Sequence, residues 1–222
     1  MPSYFPIFLN LERRRCLVIG GNRHAAEKAL SLDASGARVT IVAVTIVDEL
    51  AEAVMLGQVQ WIRREYRPGD LEGYFLAIAA PEERSVNAAI FREAEERGVL
   101  FNALDDPPHC QFIFPSVHRQ GDLVLAIGTS GAAPALAVRL RERFGKELGP
   151  EYAAFLRLAG EYRGVITTQL PDFSERRSLW YRIVDSEIVA LLKAGRARDA
   201  QVLFKSLLQA AGVREASAAA AV

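Results

Sequence analysis

At 222 residues, 50% of them hydrophobic and 24% charged, the chain has the balance of a globular protein and too much apolar content to stay disordered. Lysine plus arginine and aspartate plus glutamate number 27 each, so no net field holds nucleic acid or an anionic membrane by charge alone, and an anionic ligand needs a local cluster. The two cysteines, Cys16 and Cys110, cannot make a disulfide framework and belong to no CxxC pair, which fits a reducing cytoplasm.

The opening MPSYFPIFLNLERRR has no basic leader, and Glu12 to Arg15 break its apolar stretch, so export is not expected. Cys16 to Ile19 is an apolar run that meets Gly20-Gly21, and Arg23 to Ser35 carries Ala25, Ala26, Ala29, Leu30 and Leu32 at helical spacing. Strand, tight turn and helix are predicted. Gly36 stops the helix, Arg38 to Val44 is a continuous β-branched strand, and Val47 to Leu56 is a second helix ended by Gly57. Val59 to Tyr66 and Tyr74 to Ala80 supply two more strands. The second is the longest apolar run, seven residues, well short of the roughly 18 to 20 that cross a bilayer. Glu82 to Arg97 reads as a helix stopped by Gly98, and Val99 to Leu104 as a fifth strand. Continuous apolar strands interleaved with helices predict an α/β fold with a parallel sheet covered on both faces.

After Leu104 the prolines at 107 and 108 enforce a loop. Gln111 to Val117 and Asp122 to Ile127 then read as a hairpin joined by a His-Arg-Gln-Gly turn, with Phe112, Phe114, Leu123 and Leu125 as its apolar alternation. From about Ala132 the pattern is helical, with breaks at Gly149-Pro150, Leu170-Pro171 and Gly195, and the closing 215–222 reads as frayed tail.

Three segments carry candidate chemistry. Gly20, Gly21, Asn22 and Ala25 occupy a G-x-G-x-x-A-like frame with Asn in the second glycine place, where its tolerance of left-handed backbone would keep the turn buildable. A tight turn followed by a helix N-terminus can hold a pyrophosphate; an ordinary strand-to-helix turn is the plainer alternative. No acid ends the second strand, where Ala43, Val44 and Thr45 stand, so the ribose contact stays open. Asp105 and Asp106 fall just beyond the fifth strand, at the edge where open α/β sheets bind ligands. A carboxylate there could take a proton, its pKa lifted by partial burial, or could simply start an Asx-turn before Pro107. His109 and Cys110 next door lack partners at metal-ligand spacing, so no metal site is expected and Cys110 reads as a small buried hydrophobe. Third, Gly128 to Gly131 form a small-residue turn into a helix bearing Arg139, Arg141, Arg143 and Lys146, either a solvated face or a contact for an acidic substrate.

With PIFLNLERRRCLVIGGNRHAAEK, LAIAAPEERSVN, FNALDDPPHCQFIFPS and DLVLAIGTSGAAPALAVRLRE in that order over about residues 4–145, the sequence resembles the precorrin-2 dehydrogenase family, the dehydrogenase and ferrochelatase module of siroheme synthase. The resemblance implies a Rossmann-like domain (1–110), a dimerisation hairpin-plus-helix segment (111–148) and a C-terminal helical domain (149–214). No tetrapyrrole methyltransferase domain follows, so the stand-alone form is expected. The implied activity is NAD-dependent oxidation of precorrin-2 to sirohydrochlorin, with Fe(II) as a further substrate in chelating members and a homodimer as the working form. Family cofactor contacts carry over to Gly20, Gly21, Asn22, Arg23, His24, Val44 and Thr45, and the essential aspartate to Asp105; Thr129 stands where a serine is frequent. Two rivals remain open: a nucleotide-sensing module whose helical tail binds a protein, and another small-substrate dehydrogenase.

Overall fold

The structure, a computed structural model, describes residues 4–80 and 84–214. The expected helix start at Glu82 and the frayed tail at 215–222 lie outside the described residues. The chain divides into two compact units, Met1–Phe114 and Pro115–Val222.

The first unit alternates strand and helix: β1 (Arg15–Ile19), α1 (Arg23–Asp33), β2 (Arg38–Ala43), α2 (Asp48–Met55), β3 (Val59–Arg63), β4 (Leu76–Ala79), α3 (Asn87–Arg97) and β5 (Leu100–Ala103). All pairings are parallel and the strand order is β3-β2-β1-β4-β5, the doubly wound, Rossmann-like arrangement expected. The two-residue side-chain period divides β1 between two cores. Cys16 and Val18 pack with Ala25, Ala29 and Leu50 on one face, while Leu17 and Ile19 pack with Ile90, Ala94 and Phe101 on the other. Burial pushes the Cys16 thiol up to about 11, so it packs as a small apolar group. The strands from Val59 and Tyr74 are shorter than expected, because the chain leaves the sheet at Arg64 and enters it only at Leu76. The expected long helix before Gly98 starts with a 3-10 turn, Arg84–Val86, and becomes α-helical at Asn87. Gly98, at φ 66, ends it in left-handed conformation.

A buried carboxylate organises the crossing from β3 to β4. Glu93, on α3 and 8% exposed, accepts from the Tyr66 hydroxyl and from the amides of Gly69 (3.0 Å) and Leu71 (3.1 Å), and pairs with Arg97 at 2.9 Å. Burial alone would raise its pKa, but these donors outweigh it and hold the carboxyl below the usual range, while burial and the same contact raise the Tyr66 phenol.

In the second unit the hairpin is β6 (Ser116–Gln120) and β7 (Leu123–Ile127), followed by α4 (Pro134–Glu147), α5 (Pro150–Gln169), α6 (Phe173–Val184), α7 (Ile188–Lys193) and α8 (Ala197–Ala210). The register pairs His118 with Leu125 and Gln120 with Leu123, so the turn is the two-residue Gly121-Asp122 and not His-Arg-Gln-Gly. Gly121, at φ 59, supplies the positive φ that a tight hairpin turn requires. The strand expected from Gln111 starts only at Ser116, because Pro115 precedes it and Asn102 bridges to Cys110, tying the preceding segment to the first unit. Phe112 accordingly packs on the first unit's core, leaving Leu123 and Leu125 as the expected apolar positions that lie in the hairpin. The breaks expected around Gly149, Pro171 and Gly195 are present, and an unforeseen one at Asp185–Glu187 separates α6 from α7. A core of Phe155, Ile166, Leu179, Ile183, Ile188 and Phe204 joins α5 to α8.

Candidate functional site

The strand order reverses at β1 and β4, so the crevice beyond their carboxyl ends is where such a sheet takes ligands. Asn22 spans it. As N-cap of α1 its side-chain oxygen accepts from the Ala25 amide at 3.0 Å, and its Nδ2 donates to the Ala80 carbonyl at 2.9 Å, just past β4. Asn22 is not left-handed, contrary to expectation: its backbone is extended at φ −78 and ψ 178, and the left-handed residue is Gly20 at φ 117. The N-cap role was legible from Asn standing three residues before Ala25; the acceptor on Ala80, 58 residues away, had no local signal.

The turn after β1 also abuts the one after β2. A Cβ added at Gly21 would lie 1.8 Å from the Thr45 carbonyl oxygen, and the Val47 amide donates to the Gly21 carbonyl at 2.9 Å. Gly21, Asn22, Val44 and Thr45, far apart in sequence, thus form one rim. Val44, at 51%, and Thr45 are exposed, and no carboxylate ends β2. Arg23 and His24 are the first two residues of α1, with exposed side chains. Their amides have no acceptor within the helix, and Asn22 caps only that of Ala25. The open amides, the positive end of the helix dipole and a rim free of acidic side chains together fit a dinucleotide pyrophosphate.

Asp105 lies past β5 at the same carboxyl edge, two strand spacings from β1, or about 10 Å in the plane of the sheet. It is exposed and adopts φ 57, a left-handed conformation unusual for a non-glycine residue. The partial burial expected for the pair belongs to Asp106 instead. Its Oδ2 accepts from Asn87 Nδ2 at 2.9 Å and pairs with His109 Nδ1 at 2.8 Å. Pro107–His109 form a 3-10 turn inside the expected loop, allowed because proline at the first helical positions loses no hydrogen bond. Cys110 is only half-buried, and its thiol donates to the carbonyls of Ala103 (3.1 Å) and Asp106 (3.3 Å). Burial pushes that thiol up. His118, in the second unit, has Nε2 3.2 Å from the Leu148 carbonyl. Among the described residues no three His, Cys, Asp or Glu side chains come together as metal ligands.

The third segment belongs to the second unit. Ser130 (φ 51) and Gly131 (φ 81) turn the chain, with the Ala132 amide donating to the Thr129 carbonyl at 2.9 Å before α4. On that helix Arg139 reaches Glu142 at 3.1 Å and Arg143 reaches Glu147 at 3.3 Å. These exposed pairs at helical spacing are a solvated face. No described helix is long and apolar enough to cross a membrane.

Residues 7–116 match a family model described as putative NAD(P)-binding, and residues 151–208 one described as the sirohaem synthase dimerisation region. "Siroheme synthase 1" of Pectobacterium atrosepticum is 39% identical over 199 residues, covering 90% of this chain and 42% of the relative. "Siroheme synthase" of Photorhabdus laumondii subsp. laumondii is 34% identical over 207 residues, 93% of this chain and 44% of the relative. The chain therefore spans less than half the length of these curated relatives. A solved structure named "SirC, precorrin-2 dehydrogenase" superposes with a TM-score of 0.76 at 25% identity, covering 91% of this chain and 100% of that one. Both units find their counterparts in a single set of relatives, and the chain belongs to the family of precorrin-2 dehydrogenases and the corresponding module of siroheme synthases.

Proposed function

We propose that this chain oxidises precorrin-2 to sirohydrochlorin with NAD, the activity in the name of its structural neighbour. The observation that carries the reading is the placement, on one sheet edge, of an open helix N-terminus and an exposed carboxylate, Asp105. NAD bound on the first turn supplies the hydride acceptor. Around it Gly20 and Gly21 leave the backbone accessible, the Arg23 and His24 amides receive the pyrophosphate, and Val44 and Thr45 line the ribose side. Asp105 accepts the proton that leaves as conjugation extends through the macrocycle. Each turnover thus removes one hydride and one proton from the substrate. Iron insertion would draw on the same carboxylate to deprotonate pyrrole nitrogens, with Fe(II) as substrate and not as a resident cofactor.

The working form in this proposal is a homodimer in a reducing cytoplasm. Exposed Val117, Leu136 and Val138, on the hairpin and α4, supply apolar surface for the contact within the segment 111–148, and the matched dimerisation region follows directly in the chain. An anaerobic assay with precorrin-2, NAD and Fe(II), omitting each in turn, tests the reading. The sirohydrochlorin spectrum should develop only when precorrin-2 and NAD are both present, and the iron arm shows whether siroheme follows. NAD binding without turnover would favour a nucleotide-sensing module instead.

A further inference from the structure

The carboxyl edge of β5 carries two adjacent aspartates in different settings, and the dehydrogenase reading uses only Asp105. Asp106 Oδ2 takes two hydrogen-bonding partners at once, Asn87 Nδ2 at 2.9 Å and His109 Nδ1 at 2.8 Å. Asn87 is the first residue of α3 and is 0% exposed; its other side-chain atom, Oδ1, finds no donor among the described residues. A fully buried amide left half-satisfied is costly, so its bond to Asp106, the one side-chain bond it makes among the described residues, ties that carboxylate to the buried start of α3. His109 is fixed from a second side, its ring meeting Phe91 of α3 edge-on at 5.6 Å between centroids. Backbone bonds close the turn: the Asp106 amide to the Ala103 carbonyl at 3.2 Å and the His109 amide to the Asp106 carbonyl at 2.9 Å. Immediately before this clamp Asp105 holds φ 57, a left-handed conformation that aspartate tolerates better than most residues but that still costs free energy its surroundings must offset.

We infer that Asp106, gripped by buried Asn87 and by His109, is the positioning residue that holds Asp105 in its left-handed turn and thereby places the proton acceptor of the reaction. The inference rests on the dehydrogenase reading. It predicts a division of labour between the neighbours, in which Asp105 meets the substrate and Asp106 never does. A misplacement of the acceptor by around 1 Å costs up to about 10²-fold in rate.

The test compares the unmodified protein with Asp106→Ala and Asp106→Asn, measuring steady-state oxidation of precorrin-2 and amide hydrogen exchange by NMR. Asp106→Ala should lower kcat by about 10-fold or more, leave KM for NAD within about 2-fold because the cofactor contacts lie on other loops, and speed exchange at the amides of Asp106 and His109. Asp106→Asn keeps one oxygen able to accept from both Asn87 and His109, and should recover most of kcat and of the exchange protection. A merely structural role would move the melting temperature without this split between kcat and KM or this rescue. The inference is overturned if Asp106→Ala turns over at the unmodified rate, or if Asp106→Asn is as impaired as Asp106→Ala. Failure of the unmodified protein to oxidise precorrin-2 would remove the dehydrogenase reading and the catalytic purpose of the clamp. The exchange data would then still decide whether Asp106 holds the turn.

Discussion

At the scale of single residues the sharpest contrast is between Asp105 and its neighbour. Asp105→Ala should lower precorrin-2 oxidation by about 10²- to 10⁴-fold, as loss of a general base does, while calorimetric NAD affinity stays within a few-fold. Asp106→Ala should be the milder change; if it proves the more damaging, the roles are assigned to the wrong carboxylate. Gly21 makes a second test. A side chain there would crowd the pyrophosphate path and would also meet the Thr45 carbonyl, 1.8 Å from where its Cβ would stand. Gly21→Val should therefore lower stability by about 1 to 3 kcal/mol through forced separation of the two turns, visible in urea denaturation. It should also weaken NAD in the folded fraction, and unchanged affinity there would place the dinucleotide elsewhere. That Gly20 and Gly21 open the turn after β1 and that an aspartate pair stands past β5 was legible, because glycines and acids at strand ends follow from backbone geometry and topology; the choice between the two aspartates came from the family resemblance. The grip of Asn87 on Asp106 was not, since it joins residues 19 positions apart and Asn87 carries no mark that separates it from a surface asparagine.

At the scale of elements, the strands and helices of the first unit followed from apolar runs and glycine stops. Gly98 ends α3 where expected because only a residue at ease with positive φ closes that helix so tightly. The hairpin was placed too early because Phe112 and Phe114 look like strand positions, yet the Asn102–Cys110 bridge gives their segment to the first unit. Glu93 was invisible for the opposite reason, as a charged residue inside a helix reads as surface. Its carboxyl is held below its ordinary value of 4.5, so its contribution is present above the unfolded pKa and is lost as pH falls through the lower folded value. Glu93→Gln should thus cost about 2 kcal/mol at pH 7 and progressively less as the pH drops below about 4.5, where the unmodified protein loses the same contribution. Urea midpoints at pH 7 and pH 3 check the convergence. An equal gap at both would mean that Glu93 acts through shape and not through charge.

At the scale of the whole molecule, the prediction is association. A two-stranded hairpin is marginal alone, and although α4 and α5 cover one side of β6 and β7 in this chain, Val117 on the hairpin and Leu136 and Val138 on α4 remain exposed. Sedimentation at micromolar concentration should show twice the mass of the 222-residue chain. Val117→Lys combined with Leu136→Glu should shift the equilibrium toward the single chain if these residues lie in the contact. A species of single-chain mass in the unmodified protein would refute the dimer. Full NAD-dependent oxidation in the presence of a chelator is expected as well, because the proposed step needs only a hydride acceptor and a carboxylate base.

The strand order has one more consequence, which concerns the chain while it is being made. β1 is central, but its two neighbours arrive at different times: β2 begins at Arg38 and β4 only at Leu76. During synthesis at roughly 5 to 20 residues per second, β1 spends seconds with one edge paired and the other bare. That bare edge displays the apolar run Cys16 to Ile19, an open template for pairing with another nascent chain. Fragments released before residue 76 should therefore be the aggregating ones, and a slow stretch of translation just upstream of β4 would lengthen the hazardous interval.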